Sequence, residues 1–113
     1  MITLDLPRPP STNALFTNVP GVGRRKTADY RRWQEAAGWA IAAARQPAVL
    51  GPYAVFIGVS RADGVDIDNV VKATLDILVK HRLTDDDKRC DKLVVQRDDD
   101  TPKSRIRVFV EAA

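Results

Sequence analysis

The sequence contains few of the residues on which many small proteins rely for stability or chemistry. A single cysteine, Cys90, and a single histidine, His81, exclude an internal disulfide framework, a cysteine-rich zinc site and a metal site built from several histidines. No apolar run approaches the roughly 18 residues that a bilayer-spanning helix needs. The N-terminal residues lack the basic start and apolar core of a signal peptide. We therefore expect a soluble protein of a reducing intracellular compartment, with no membrane partner.

What the chain does contain is an ordinary globular composition in a short length. Hydrophobic residues make up 44% and charged residues 29% of 113 residues, which predicts one globular domain over residues 1–113. A chain of this size buries only about two thirds of its unfolded surface. Little volume remains for a deep private pocket, so the size favours a large substrate bound on an open face or between two copies.

The net charge of +3 is distributed unevenly along the chain. Residues 1–45 carry a net charge of +4, residues 61–100 carry −3, and residues 101–113 carry +2. An acidic centre between basic ends suits a site that binds cations while its surroundings bind a polyanion. A mixed, solvated surface explains the same distribution equally well.

The hydrophobic pattern predicts the element order β-α-β-α-β-β. Alternating or continuous apolar residues predict strands over 2–6, 53–60, 91–97 and 104–111, and helical spacing predicts helices over 27–45 and 68–80. The strand over 53–60 is apolar at nearly every position, which is typical of a central strand. Residues 7–26 are predicted as a loop, and the last two strands as a hairpin. We classify the fold as α/β of the two-layer α+β type, a small mixed sheet packed against two helices.

Several single residues have structural roles in this prediction. Thr27 is the expected N-cap of the first helix, and Trp33 and Trp39 are predicted to lie in the core rather than to stack on bases. His81 is expected at the C-terminal end of the second helix, where it complements the helix dipole rather than acting as a base. Cys90 is expected at a strand edge, with no chemical role.

The most informative segment is a run of carboxylates around the second predicted helix. Asp66 and Asp68 follow a strand and precede that helix, and Lys72 lies one helical turn after Asp68. Carboxylates are the ligands that Mg²⁺ prefers, and a bound ion polarises a phosphodiester and activates water. A nearby lysine stabilises the charge that develops during hydrolysis. The pattern is therefore typical of a metal-dependent nuclease.

A simpler interpretation of the same residues remains open. Asp66 and Asp68 would only cap the helix, Lys72 would pair with Asp68, and residues 85–87 would form a solvated acidic turn. A helix of 13 residues is about 20 Å long, so the acidic turn lies far from the first pair within one chain. Either the chain folds back, or the further carboxylate comes from elsewhere.

Two segments together resemble the RusA family of Holliday junction resolvases. The N-terminal segment, Leu6-Pro7-Arg8-Pro9-Pro10-Ser11-Thr12-Asn13, is similar to the family's Pro-Pro-Ser-x-Asn segment after the first strand. The central segment from Asp66 to Asp76 is similar to its Asp-x-Asp-Asn-x-x-Lys core. The Asp-Asp pair that follows that helix in the family falls on Asp85-Asp86.

The resemblance implies a homodimeric endodeoxyribonuclease that cuts four-way DNA junctions with paired nicks in recombination and repair. It implies Mg²⁺ as the cofactor, with Mn²⁺ as its expected substitute, held by Asp66, Asp68 and Asp86, and Lys72 as the catalytic lysine. Asp87 makes the position of the third carboxylate ambiguous by one residue. The family's site is assembled near the dimer interface, and the expected setting is the nucleoid in the cytoplasm of a bacterium, for a bacterial or phage-encoded enzyme.

The candidate DNA contacts lie in the N-terminal third of the chain. A basic run and its neighbours would contact phosphates, which supply most of the affinity of proteins for DNA. Ser11 and Asn13 would hydrogen-bond DNA or simply form a turn. The full candidate set is Arg8, Ser11, Asn13, Arg24, Arg25, Lys26, Arg31 and Arg32.

Two other functions remain open at this point. One is a non-catalytic nucleic-acid-binding module that keeps the fold, and the other is a dimeric scaffold whose acidic centre only balances charge. Metal-dependent cleavage of branched DNA separates the enzyme from the binding module. A scaffold would bind DNA no better than any protein of net charge +3.

Overall fold

A four-stranded mixed sheet with both helices packed on one of its faces forms the body of the protein. The computed structural model describes residues 1–113, and its strands are β1 (Ile2–Pro7), β2 (Phe16–Val19), β3 (Gly23–Lys26), β4 (Tyr53–Ser60), β5 (Cys90–Asp98) and β6 (Arg105–Ala112). The helices are α1 (Ala28–Ala44) and α2 (Val71–Lys80). The predicted α+β two-layer class is therefore confirmed. Neither helix has the length and apolar character of a membrane-spanning segment.

The strand order of the main sheet is β1-β6-β4-β5, with β4 antiparallel to β6 and parallel to β5. The prediction that β4 is central is confirmed. The predicted hairpin of the last two strands is wrong, because β4 lies between β5 and β6. The strand β4 is buried at seven of its eight positions and needs a neighbour on both sides, whereas β5 has no buried residue and takes an edge.

The core lies between the sheet and the helices, on one face of the sheet only. The register stacks apolar side chains in rows across the strands, for example Leu4 beside Val108 and Val108 beside Ile57. These residues share one cluster with Tyr30 and Trp33 of α1 and with buried residues of α2. The opposite face of the sheet has no helix on it, and this two-layer arrangement leaves the loops at the strand ends free to carry the functional residues.

The predicted start of α1 is confirmed, but one of the two tryptophan predictions is wrong. The Thr27 hydroxyl accepts a hydrogen bond from the Tyr30 N–H at 3.2 Å, as an N-cap does. Trp33 is buried, and its indole N–H donates to the Pro7 carbonyl at 2.7 Å. Trp39 is 71% exposed, because it lies on the helix face opposite Trp33 and Ala37.

The predicted loop over residues 7–26 contains a short β-hairpin. Strands β2 and β3 pair antiparallel, with Phe16 opposite Lys26 and Asn18 opposite Arg24. Their residues are almost all exposed, so the sequence shows no alternation of apolar and polar residues that would predict strands. The Arg24 guanidinium lies 4.1 Å from the centroid of the Phe16 ring, and the hairpin holds its basic residues beside the start of α1.

Candidate metal site and nucleic-acid groove

Asp66 and Asp68 lie in the connection between β4 and α2, at the edge of the sheet where β4 ends. The residues from Ile67 to Val70 form a 3-10 turn that runs into α2, so the predicted helix over 68–80 begins three residues later than expected. Neither the turn nor α2 has a side-chain cap, so the predicted capping by these aspartates is wrong. Both residues are exposed, and their carboxylates are available to bind a ligand.

Arg97 of β5 holds the loop that leads to these two carboxylates. Its guanidinium donates hydrogen bonds to the backbone carbonyls of Ser60 at 3.1 Å, Asp63 at 3.2 Å and Val65 at 2.5 Å. Arg97 pairs with Val59 in the sheet register, so the guanidinium reaches the loop from the end of the neighbouring strand. Local sequence patterns do not reveal this role of Arg97, because only the parallel pairing of β4 and β5 brings it to this loop.

The side chain of Asp63 anchors the same loop to two other parts of the chain. It is fully buried and lies 3.0 Å from the Arg8 guanidinium. The Ser104 N–H also donates to its two carboxylate oxygens, at 3.1 and 3.2 Å. A buried carboxylate needs such partners. Arg8, a candidate DNA contact, is therefore paired with the scaffold.

Lys72 lies in the first turn of α2, close in sequence to Asp66 and Asp68. Its ammonium nitrogen is 3.5 Å from a carboxylate oxygen of Asp76, one turn further along the helix, and the side chain is half exposed. The simpler interpretation in which Lys72 pairs with Asp68 is therefore wrong. Because the ion pair with Asp76 is solvent-accessible and weak, Lys72 can turn toward a bound anion at little cost.

The three acidic residues after α2 have different environments. The Asp85 carboxylate accepts a hydrogen bond from the Gly51 N–H at 3.2 Å. The Asp86 carboxylate caps a 3-10 turn by accepting from the Lys88 N–H at 3.0 Å, and this bond, with a smaller effect of the Asp87 side chain, lowers the pKa of Asp86. Asp87 lines a cleft beside Asp76 and Lys80.

Asp86 lies at the opposite end of β4 from Asp66 and Asp68. The Tyr53 hydroxyl, on the first residue of β4, donates to the Asp86 carbonyl at 3.1 Å, whereas Asp66 and Asp68 follow the last residue of β4. An eight-residue strand is roughly 26 Å long. The chain accordingly contains no group of three or more His, Cys, Asp or Glu side chains that could hold a metal ion.

The residues at the Asp66 end nevertheless fit a magnesium site of the kind that uses few protein ligands. Mg²⁺ is commonly held by one or two carboxylates, with water and substrate phosphate completing its coordination. Asp66 and Asp68 supply two exposed carboxylates separated by one residue. They would hold the ion, with water and substrate phosphate oxygens as its other ligands.

Three adjoining concave surfaces, which we call the basic groove, run from the hairpin to the middle of α1. The first includes Asn13, Phe16 and Arg24, and the second is lined by Phe16, Lys26, Asp76 and Lys80 among others. The third also contains Lys26 and Lys80 and extends to Arg31, Trp39 and His81. Phe16 lines both the first and the second surface, and Lys26 lines both the second and the third, so the three surfaces adjoin one another.

The basic groove begins beside the candidate metal ligands. The Thr12 hydroxyl, which lines the first concave surface, donates to the Asn69 carbonyl at 3.4 Å, next to Asp68. Four candidate DNA contacts line the groove, namely Asn13, Arg24, Lys26 and Arg31. Four others do not line it, namely Arg8, Ser11, Arg25 and Arg32. Arg8 pairs with Asp63 and Arg32 with Asp29.

Comparison with known protein families gives one match. A family model described as "Endodeoxyribonuclease RusA" matches residues 7–111 of the chain. A search of curated proteins gives no significant match. The matched range includes both free carboxylates, Lys72, Asp86 and all the residues that line the basic groove.

Proposed function

Because this match covers nearly the whole chain, the protein belongs to the endodeoxyribonuclease RusA family, and we propose that it is a Mg²⁺-dependent nuclease that resolves four-way DNA junctions by paired nicks. The observation that carries the proposal is the position of Asp66 and Asp68. These two unengaged carboxylates lie four to six residues before Lys72 in the chain and at one end of the basic groove. Such an arrangement supports metal-assisted hydrolysis of a bound DNA strand.

Each residue of this site has a distinct role in the proposed reaction. Asp66 and Asp68 would hold Mg²⁺, which when bound polarises the scissile phosphodiester and lowers the pKa of water. Lys72 would stabilise the negative charge that develops on the phosphate oxygens. Cationic residues of the basic groove, such as Arg24 and Arg31, would contact the DNA backbone and set its position without reading its sequence.

A cleavage assay on branched and linear DNA tests the proposed function. The protein is incubated with a synthetic four-way junction and with a duplex of matching sequence, in Mg²⁺, in Mn²⁺ and in EDTA. We expect paired nicks in the junction with either metal, no cleavage in EDTA and little cleavage of the duplex. Junction binding without cleavage in any metal would identify the protein as a non-catalytic binding module. If the protein shows no particular affinity for DNA, a scaffold is the only one of the three candidate functions that remains.

The separation of Asp86 from Asp66 and Asp68 leads us to propose that the active form is a homodimer. A four-way junction has near two-fold symmetry, and a dimer with a two-fold axis offers two cuts related by that symmetry. In such a dimer, Asp86 of one copy would join Asp66 and Asp68 of the other. The mass in solution would be about 25 kDa, twice the chain mass of 12.5 kDa.

We expect two inactive variants to restore cleavage when they are mixed. If the site is shared between copies, a heterodimer of Asp68→Asn and Asp86→Asn carries both changes in one site and leaves the other site intact. Mixing should therefore restore single nicks, measured by denaturing gel electrophoresis, but not paired cuts. Light scattering should show a dimer at micromolar concentration. No recovery on mixing, with subunit exchange verified, would place all the required carboxylates in one chain.

The identity of the third carboxylate is tested by Asp85→Asn, Asp86→Asn and Asp87→Asn in parallel. We expect Asp86→Asn alone to abolish cleavage. Asparagine keeps an oxygen that accepts from the Lys88 N–H, so the 3-10 turn survives and the loss reports on charge. Asp85→Asn likewise keeps an acceptor for Gly51. Loss of cleavage only in Asp87→Asn would show that Asp87, and not Asp86, is the third carboxylate.

We expect Arg97→Ala to impair cleavage without impairing DNA binding. Arg97 is neither a proposed metal ligand nor a proposed DNA contact. It donates hydrogen bonds to three backbone carbonyls of the loop before Asp66, so it is a positioning residue. Misplaced ligands should lower turnover by roughly 10-fold to 100-fold with KM unchanged, and unpaired carbonyls should lower the free energy of unfolding by about 1–3 kcal/mol.

Two further variants serve as controls for Arg97. Arg97→Lys should restore little activity, because an ammonium group lacks the planar fork that spans several carbonyls. Arg107→Ala removes an equal charge from the neighbouring part of the sheet, where Arg107 pairs with Gly58, and should keep normal turnover. Equal losses in Arg97→Ala and Arg107→Ala would mean that charge alone matters.

A further inference from the structure

Trp39 is a large aromatic side chain that the fold leaves in solvent. It is 71% exposed, whereas the other tryptophan, Trp33, is 6% exposed and lies in the core. Trp33 also stacks beside Tyr30, while Trp39 contacts no other aromatic ring. Exposed tryptophans are uncommon away from binding surfaces, because the ring is costly to leave in water.

The surroundings of Trp39 are suited to a polyanion. Trp39 lines a concave surface of about 570 Å³ together with Lys26, Arg31, Lys80 and His81. Arg31 and Lys80 form no ion pair within the chain, and Glu35 is the only acidic residue of this surface. An aromatic ring among uncommitted cations is the combination that binds single-stranded nucleic acid.

A glycine of α1 allows the end of α2 to pack closely beside the tryptophan. The His81 imidazole packs against Gly38, where a Cβ atom would lie 3.1 Å from two ring atoms of His81. The C-terminal end of α2 can therefore approach α1 closely, and it places Lys80 on the same surface as Trp39. The ring is in this way part of a formed cleft rather than an isolated exposed side chain.

From these contacts we infer that Trp39 is a stacking platform for an unpaired nucleobase of the branched DNA substrate. This inference rests on the proposed function. Trp39 lies at the end of the basic groove remote from Asp66 and Asp68, and Lys80 is about 12 Å along α2 from Lys72, within the reach of one bound DNA strand. The face of a base is available for stacking only where base stacking is interrupted, as at a branch point. Trp39 therefore favours branched over continuous duplex DNA.

Binding measurements in EDTA test this role separately from catalysis. The wild type, Trp39→Ala and Trp39→Phe are titrated with a four-way junction, a single strand and a matching duplex. Loss of one stacked base should weaken binding of Trp39→Ala to the junction and to the single strand by roughly tenfold. Trp39→Phe should retain most of the affinity, and duplex binding should not change. Leu50→Ala, at another exposed apolar residue outside the groove, is the matched control.

Salt dependence and fluorescence distinguish stacking from charge. Trp39→Ala should leave the slope of log affinity against log salt unchanged, whereas Lys80→Ala should make it shallower, because only charged residues release counterions. The single strand should quench the fluorescence of the wild type but not that of Trp39→Phe, in which only the buried Trp33 remains.

Three outcomes would contradict either the role of Trp39 or the proposed function, and each can be told from the others. If the wild type binds the junction and Trp39→Ala binds it equally well, stacking by Trp39 is wrong while the proposed function stands. If Trp39→Ala converts a dimer into a monomer in light scattering, this face is a contact between copies instead. If the wild type shows no affinity for any DNA, the proposed function itself fails.

Discussion

Replacement of Asp68 by Asn should abolish cleavage of a four-way junction while the variant binds the junction at least as tightly as the wild type. The change removes the charge of one of the two unengaged carboxylates that would hold Mg²⁺, and with it most of the affinity for the ion. It also removes a negative charge that repels the DNA backbone, so binding should be kept or strengthened. Asp66→Asn should behave in the same way.

Cleavage and binding are measured separately for these variants. Single-turnover cleavage in Mg²⁺ reports on catalysis, and gel-shift titration in EDTA reports on affinity. Asp99→Asn removes the same charge from an exposed site that pairs only with Arg61, and it should cleave normally. Wild-type turnover in Asp68→Asn would mean that this carboxylate does not hold the metal. Parallel loss of binding and cleavage would instead indicate a damaged fold.

Replacement of Lys72 by Ala should lower the single-turnover rate by roughly 10²-fold or more, as expected for the loss of one electrostatic contact to the transition state. Affinity for the junction should change little, because one phosphate contact among many contributes a small part of binding. The only ion-pair partner of Lys72 is the partly exposed Asp76, at 3.5 Å. Its removal should therefore leave the stability of α2 nearly unchanged.

Lys80→Ala is the matched control for Lys72 on the same helix. Lys80 lines the basic groove but lies at the other end of α2 from Asp68. We expect Lys80→Ala to weaken binding modestly and to leave the single-turnover rate of the saturated complex unchanged. If Lys72→Ala shows that pattern instead, with normal cleavage and a large loss of binding, Lys72 anchors DNA rather than assisting catalysis.

The two-layer fold could be predicted from local patterns, because amphipathic spacing is a property of neighbouring residues. The central position of β4 followed from its continuous apolar sequence. The hairpin of β2 and β3 could not be predicted in this way, since its strands are exposed and carry no alternation. The exposure of Trp39 follows from its position on the helix relative to Trp33 and not from its residue type.

The candidate site was predictable to the extent that it is local. Asp66, Asp68 and Lys72 fall within seven consecutive residues, so any compact turn keeps them near one another. The environment of Asp86 was not predictable, because it depends on which end of β4 the chain reaches after α2. The hydrogen bond from Tyr53 to the Asp86 backbone resolves that question for one chain. Because this hydrogen bond holds Asp86 at the other end of β4 from Asp66 and Asp68, we propose that a second copy supplies the third carboxylate.

The sequence by itself determined the class of fold, the carboxylate and lysine segment before and within α2, and the family to which the chain belongs, since all of these depend on residue types at short spacings. Only the tertiary structure decided which distant residues support that segment. Arg97 reaches carbonyls 32 to 37 positions away, and buried Asp63 pairs with Arg8 near the N-terminus. The extension of the basic groove to Trp39 likewise depends on the packing of α1 against α2. Such contacts follow from strand order and helix packing, which no local spacing specifies.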